Sequence, residues 1–334
     1  MSHSADHSHE QNSIQHDKNC NIDGLTFDDI LLLPGYTDFF REIATTEVQL
    51  TTNIRLKIPV FSSPMDTVTE AAMAIAIAKM GGMGIIHRSM SIPDQVEQLK
   101  LVKNTVLGVD IETQATTKKG MLLCGTAIGA SPDFEERVSA LADAGTDLFV
   151  LDTAQGFAQY IIEYIKTIKT ITNIPVMAGN VVTYAGAMAL IKAGADILRV
   201  GMGPGSICTT RIVTGVGVPQ LTAISEVKRA VLDSGSGVKV IADGGIKQIG
   251  DIAKAIAFGA DAVMLGSLLA GFDQCPGETL DFDGQKYKYY RGMGSIGAMQ
   301  KGGAARYGQA GDNAHQNLRF LQDIDQIQLA TNQA

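Results

Sequence analysis

Eight short apolar runs, each separated from the next by a longer stretch, set the tightest limit on what this chain can become. The runs are IPVF (58–61), GIIH (84–87), LLCGTAI (122–128), DLFVLD (147–152), IPVMAG (174–179), DILRVG (196–201), VKVIAD (238–243) and DAVMLG (261–266). They are nearly continuous in Val, Ile and Leu, as strands buried on both faces should be. Between them lie stretches of helical length and spacing, such as TEAAMAIAIAKM (69–80), PDFEERVSALADAG (132–145), YAGAMALIKAGA (184–195) and QLTAISEVKRAVLDSG (220–235). Three units share one joint, in AGTDLFVLD, AGADILRVG and FGADAVMLG. In each, a Gly closes the helix, an Asp follows two residues later, and a buried strand begins. Strands alternating with helices imply parallel βαβ units, and a closed barrel accounts for eight of them better than an open sheet. The expected fold is an α/β (β/α)8 TIM barrel.

Composition narrows the function classes. The chain has 334 residues, 45% hydrophobic and 19% charged, which is too apolar for full disorder and long enough for a large core. A net charge of −8 argues against a surface devoted to nucleic acid or to an anionic membrane. No apolar run reaches membrane-spanning length. Four scattered cysteines (Cys20, Cys124, Cys208, Cys275), with no CxxC, suit a reducing cytoplasm. Residues 1–23 are polar and hold His3, His7, His9 and His16 at irregular spacing; they read as a disordered, solvated tail.

In a barrel of this kind the chemistry lies at the carboxyl ends of the strands, so the residues just after each run matter most. The seventh and eighth runs end in ADGGI (242–246) and LGS (265–267). Gly244, Gly245, Gly266 and Ser267 offer backbone amides and a hydroxyl where barrel phosphate sites usually sit. The sixth run opens into GMGPGSICTTR (201–211), an irregular Gly-rich loop that carries Cys208, Thr209, Thr210 and Arg211. A thiol on such a loop, beside a phosphate site, suits a nucleophile. The other cysteines read as small buried hydrophobes.

At GPGSICTTR the sequence resembles the IMP dehydrogenase and GMP reductase family. The likeness runs from LTFDDILLLPGY (25–36) through SSPMDTVTE, AGNVVT, the Cys loop, GVGVPQ (215–220), IADGG and YRGMGSIGAM (290–299) to KGGAARYGQ (301–309). It implies that Cys208 attacks C2 of a purine nucleotide and that Asp243 binds the ribose hydroxyls. It further implies that Ser206, Gly245, Gly266, Ser267 and Tyr290 hold the phosphate. Ser63 and Met65 would line the nucleotide pocket, with Met293 and Gly294 on the base. Asp152 and Asn180 would lie on the side of an NAD cofactor. Carbonyls of Gly203, Gly205 and Cys208 match positions that hold a monovalent cation, K⁺, in the dehydrogenases. Relatives are tetramers, so a homo-tetramer is expected.

The family's two reactions part after hydride transfer. The dehydrogenase hydrolyses the Cys adduct with a mobile flap bearing an Arg-Tyr pair; the reductase releases ammonia and carries a Glu in the segment corresponding to YRGMGSIGAM. Here that position is Ile296, which cannot shuttle a proton, while AARYGQ supplies Arg306 and Tyr307. Thr210 is a second candidate proton relay. The expectation is therefore oxidation of IMP to XMP, with a flap over about 280–310 inserted late in a catalytic barrel spanning 24–310. The alternatives are an NADPH-dependent GMP reductase and a nucleotide-binding relative without turnover. The junction 104–120 is too short for the pair of CBS modules that most dehydrogenases insert there. Residues 311–334 diverge from the family, and NLRFLQDIDQIQL is expected to form an amphipathic helix on Leu318, Phe320, Leu321, Ile324 and Ile327.

Overall fold

Each of the eight apolar runs becomes a strand. The computed structural model describes residues 24–293, apart from 39, 41–42 and 108–110, together with 327–331. Its strands are β1 (Val60–Ser62), β2 (Met83–Ile86), β3 (Cys124–Ile128), β4 (Leu148–Asp152), β5 (Val176–Val181), β6 (Ile197–Val200), β7 (Lys239–Asp243) and β8 (Ala262–Leu265). Neighbours pair in parallel, and β8 returns to β1 through Val263 opposite Val60, which closes the barrel. Around it lie α1 (Ala71–Lys79), α2 (Ile92–Lys103), α3 (Phe134–Asp143), α4 (Gln159–Ile171), α5 (Tyr184–Ala193), α7 (Gln220–Ser234) and α8 (Ile249–Ala257). The short α6 (Thr210–Thr214) sits inside the loop after β6.

The continuous apolar character of the runs follows from a core on each side of the strands. On β4, Leu148 and Val150 join a cluster with Phe61, Met83, Ile85, Met177, Ile241 and Met264, drawn from the other strands. Phe149 and Leu151, pointing the other way, pack with helix residues such as Leu99, Val138, Ile165 and Leu190. The inner cluster also takes Leu50, Ile54 and Leu56. These come from an antiparallel hairpin, Val48–Thr51 with Ile54–Leu56, that the eightfold pattern did not announce.

The three repeated joints have one physical reading. Gly145, Gly194 and Gly259 all take left-handed backbone conformations (φ 87°, 101° and 112°), ending their helices. The Asp two residues on then reaches a backbone N–H at the start of the preceding strand. Asp147 accepts from Cys124 N at 2.8 Å, Asp196 from Val176 N at 2.7 Å, and Asp261 from Val240 N at 2.9 Å. A Lys from the helix before that strand completes each clamp: Lys103 for Asp147, Lys169 for Asp196 and Lys228 for Asp261. Each joint thus ties a helix and two adjacent strands together at the amino-terminal rim.

After β8 the chain leaves the barrel and forms an antiparallel pair, β9 (Leu280–Phe282) with β10 (Gln285–Arg291). The expected carboxyl-terminal helix is corrected at its visible end. Ile327–Thr331 is a strand, β11, antiparallel to β10, with Gln328 opposite Tyr290. Ile327 and Leu329, two residues apart, fit the period of a strand rather than one face of a helix, and an available strand edge favours pairing. Leu318, Phe320, Leu321 and Ile324 lie outside the described residues, as do the tail 1–23 and the segment 294–326.

Candidate active site

The carboxyl ends of the strands surround a cleft of about 1150 Å³, mouth included. The loop after β6 forms one wall and brings Gly203, Gly205, Ser206, Cys208 and Thr210 to it. The Cys208 amide donates to the Gly205 carbonyl at 3.1 Å, which turns the loop back on itself beneath the thiol. Cys208 is half-buried, and its Sγ donates to Thr210 Oγ1 at 3.3 Å. The other described cysteines are buried, as expected, and burial pushes the Cys124 thiol up to about 12. Cys20 lies outside the described residues.

The opposite wall is built from the ends of β7 and β8 and from β10. Gly245, Gly266, Ser267 and Tyr290 all line it. Tyr290 is buried, its hydroxyl is hydrogen-bonded to the Ser206 and Ser267 side chains, and burial pushes its phenol up to about 12. A Cβ on Gly266 would stand 3.2 Å from the Tyr290 hydroxyl and 3.3 Å from Met65 Sδ, so a side chain here would crowd the site. Small residues and hydroxyls thus converge where strands seven and eight end. Ser63, Met65 and Met293 line the same cleft, with Asp243 between the two walls.

The floor holds a set of charges that strand spacing alone did not predict. Arg199, on β6, is almost fully buried and bridges two carboxylates. Its Nε donates to Asp243 Oδ2 at 2.9 Å, and its Nη1 donates to Asp152 Oδ1 at 2.7 Å. Asn180 Nδ2 adds a bond to Asp243 Oδ2 at 2.8 Å and another to the Gly201 carbonyl at 2.7 Å. Arg88 approaches the other oxygen of Asp152 at 3.7 Å. Asp243 is therefore fixed on one oxygen, at the cleft wall. Arg199 is the residue that sequence reasoning missed; its signal was an arginine inside the apolar run DILRVG, where a charge needs a buried partner.

Of the two residues expected on the cofactor side, Asn180 lines the cleft, and its Oδ1 is buried with no hydrogen-bond partner. Asp152 is buried among Arg199 and Arg88 and is not among the cleft-lining residues. Gly294, Arg306 and Tyr307, as well as Ile296, lie outside the described residues. No group of three or more His, Cys, Asp or Glu able to hold a metal occurs among the described residues. No described helix is long and apolar enough to cross a membrane.

A model of the IMP dehydrogenase / GMP reductase domain matches residues 24–324. The chain is 46% identical over 314 residues to an inosine-5'-monophosphate dehydrogenase of Cryptosporidium parvum, covering 86% of this chain and 78% of the relative. It is 43% identical over 332 residues to the protein of that name from Borreliella burgdorferi, covering 89% and 82%. Against that of Escherichia coli K12 it is 36% identical over 409 positions, covering 89% and 83%. That alignment is longer than the 334 residues of the chain, so the relative carries residues with no counterpart here.

Proposed function

The chain belongs to the IMP dehydrogenase / GMP reductase family, and from that premise we propose that it oxidises IMP to XMP with NAD, a step of guanine nucleotide biosynthesis. The observation that carries this reading is the convergence of three groups in one cleft. A half-buried thiol (Cys208), a fixed carboxylate (Asp243) and a hydroxyl-rich pocket (Ser206, Ser267, Tyr290) match a reacting base, a ribose and a phosphate. Asp243 keeps Oδ1 for a ribose hydroxyl, because its recorded bonds from Arg199 and Asn180 fall on Oδ2.

Chemically, Cys208 forms a C–S bond to purine C2, with its thiol proton lost. NAD, held on the Asn180 side of the cleft, would supply the acceptor for the hydride that leaves C2 with its electron pair. Water then adds at C2, a base takes its proton, the C–S bond breaks and the thiolate is restored. Thr210, within bonding distance of the thiol, is placed to relay a proton. Arg306 and Tyr307 are assigned to the flap that activates the water, and Gly294 to the base. The unpartnered Oδ1 of Asn180 suits a carboxamide N–H of the nicotinamide. Asp152 acts one layer further away, through Arg199. The carbonyls of Gly203, Gly205 and Cys208 are the proposed K⁺ ligands; oxygen donors suit such a hard cation.

Residues 104–123, which join α2 to β3, are too few for a CBS pair, and allosteric control through such modules is not part of the proposal. A homo-tetramer is. Leu31, Leu33, Tyr36, Phe40 and Ile43 are all exposed along the segment that precedes the barrel, an apolar load that a partner surface would cover. The unpaired thiols Cys124, Cys208 and Cys275 support a cytoplasmic setting.

The decisive experiment mixes the purified protein with IMP and NAD⁺ and follows NADH by absorbance. Production of NADH and XMP supports the dehydrogenase. NADPH oxidation with GMP would replace it with the reductase, and IMP binding without either reaction would leave a nucleotide-binding relative. Arg306→Ala then tests the flap. The first equivalent of NADH should survive while steady turnover falls about 10²–10⁴-fold and an adduct accumulates on Cys208. Equal loss of burst and turnover would remove Arg306 from water activation.

A further inference from the structure

The loop from β6 to α7 carries Cys208, and its two ends are joined by one side chain. Arg211, the second residue of α6, donates from Nε to the Met202 carbonyl at 3.0 Å, just after β6. Its Nη2 donates to the Val218 carbonyl at 2.6 Å, just before α7. The side chain reaches both by passing two glycines. A Cβ on Gly203 would lie 2.6 Å from Arg211 Cγ, and one on Gly217 would lie 2.8 Å from Nε and 2.9 Å from Cγ. At Gly217 the three nearest atoms all belong to Arg211.

We propose that Arg211 is a positioning residue: its guanidinium clamps the catalytic loop shut and so fixes where the Cys208 thiol stands over the cleft. The proposal rests on the dehydrogenase reading and assigns that site a further working part. The chemistry favours Arg over any other residue. A guanidinium presents rigid donors in one plane and can serve two carbonyls at once, whereas an ammonium is a point charge on a flexible stem. A Gly-rich loop left open samples many conformers, and misplacing a reacting atom by about 1 Å can cost about 10²-fold in rate. The two glycines complete the device by leaving the guanidinium room to pass.

The test is a double-mutant cycle on Arg211→Ala and Gly217→Ala, with Arg211→Lys alongside. Gly217 is chosen over Gly203 because Gly203 has a φ of +70°, where any side chain is strained regardless of Arg211. Arg211→Ala should lower kcat about 10- to 100-fold and raise the KM for IMP by a smaller factor. Arg211→Lys should recover only part of the loss. Gly217→Ala should lower kcat when Arg211 is present and cost little when it is absent, because the clash is with that side chain. Full turnover in Arg211→Ala, or the same Gly217→Ala penalty in both backgrounds, would overturn the clamp. If Arg211→Ala does not fold, Arg211→Lys and Gly217→Ala carry the test: both should lower kcat at an unchanged melting midpoint, and unchanged kcat in both would overturn it. A second readout, the rate of Cys208 alkylation by iodoacetamide followed on the Cys208 peptide by mass spectrometry, separates this proposal from the one beneath it. If the wild type makes no NADH, the dehydrogenase reading falls. The alkylation rate must then still shift with the same non-additivity, or the clamp falls as well.

Discussion

The two rims of the barrel use the same ingredients, carboxylates paired with cations, to opposite ends. At the amino-terminal rim Asp147, Asp196 and Asp261 repeat one local pattern. Each accepts a backbone N–H from the neighbouring strand and a Lys from the helix before that strand. At the carboxyl-terminal rim nothing repeats. Arg199 joins Asp152 of β4 to Asp243 of β7, from strands that are not neighbours, and Asn180 keeps a buried oxygen without a partner. The lower rim spends its carboxylates on tying strands and helices together; the upper one holds Asn180 and Asp243 in fixed positions facing an open cleft. What the fixed polar groups face, rather than charge itself, distinguishes a site from a scaffold here.

The comparison is broken most severely by removing the thiol. Cys208→Ala should abolish NADH production and also, in a Cys20→Ser background, labelling by a thiol reagent near neutral pH. Cys124 opens β3 at the lower rim, and burial holds it at about 12, so it stays protonated and unlabelled; burial raises Cys275 in the same sense. Labelling that persists, or activity above a few per cent of wild type, would show that another group does the chemistry. Next comes the lower rim. Asp147→Asn keeps an oxygen for the Cys124 amide but leaves Lys103 charged, and that side chain is only 6% exposed. A buried charge deprived of its partner costs about 3–5 kcal/mol, roughly 10 °C in melting midpoint for a domain of this size. IMP affinity should stay the same. A loss of affinity with unchanged stability would invert the roles assigned to the rims.

The same contrast explains what could be read in the sequence. The eight strands and the helices between them were legible because burial on both faces writes continuous apolar runs. The Gly-x-Asp joints were legible because one short pattern recurs in three units, though their Lys partners, 44 residues away in the case of Asp147, were not. Cys208 and Ser267 were found because the fold places strand ends together, and Asp243, Ser206 and Tyr290 only through family likeness. Arg199 was missed because its partners stand 47 and 44 residues away. The Arg211 clamp was missed because both its acceptors are carbonyls, on which side-chain identity leaves no mark. The hairpin at 48–56 and the strand at 327–331 were missed because short segments carry only a weak periodicity signal.

A milder change sharpens the upper rim. Asp243→Ala should weaken IMP binding by tenfold or more, since losing hydrogen bonds to a charged group costs about 1.5–3 kcal/mol each. It should also leave Arg199 with one carboxylate instead of two. Asp243→Asn, which keeps an oxygen for the ribose but not the charge, should lose less. Calorimetric titration giving wild-type affinity for Asp243→Ala would remove that residue from the ribose site and with it the proposed orientation of the nucleotide.

The smallest effect tests whether the three lower clamps are equal. They share a pattern but not an environment: the Asp147–Lys103 side chains are 16% and 6% exposed, while those of Asp196 and Lys169 are 35% and 29% exposed. Water screens the second pair and solvates either partner when the other is lost, so its net worth falls to about 0.2–1 kcal/mol. Lys169→Ala should therefore lower the melting midpoint by only about 1–3 °C. Asp196 would still accept the Val176 amide, so the tie between strands survives. Raising salt should shrink the difference between wild type and Lys169→Ala, and change it far less for Asp147→Asn, because only the exposed pair is open to counterions. Equal losses at the two joints would mean that the repeated pattern, not local burial, sets the strength of each clamp.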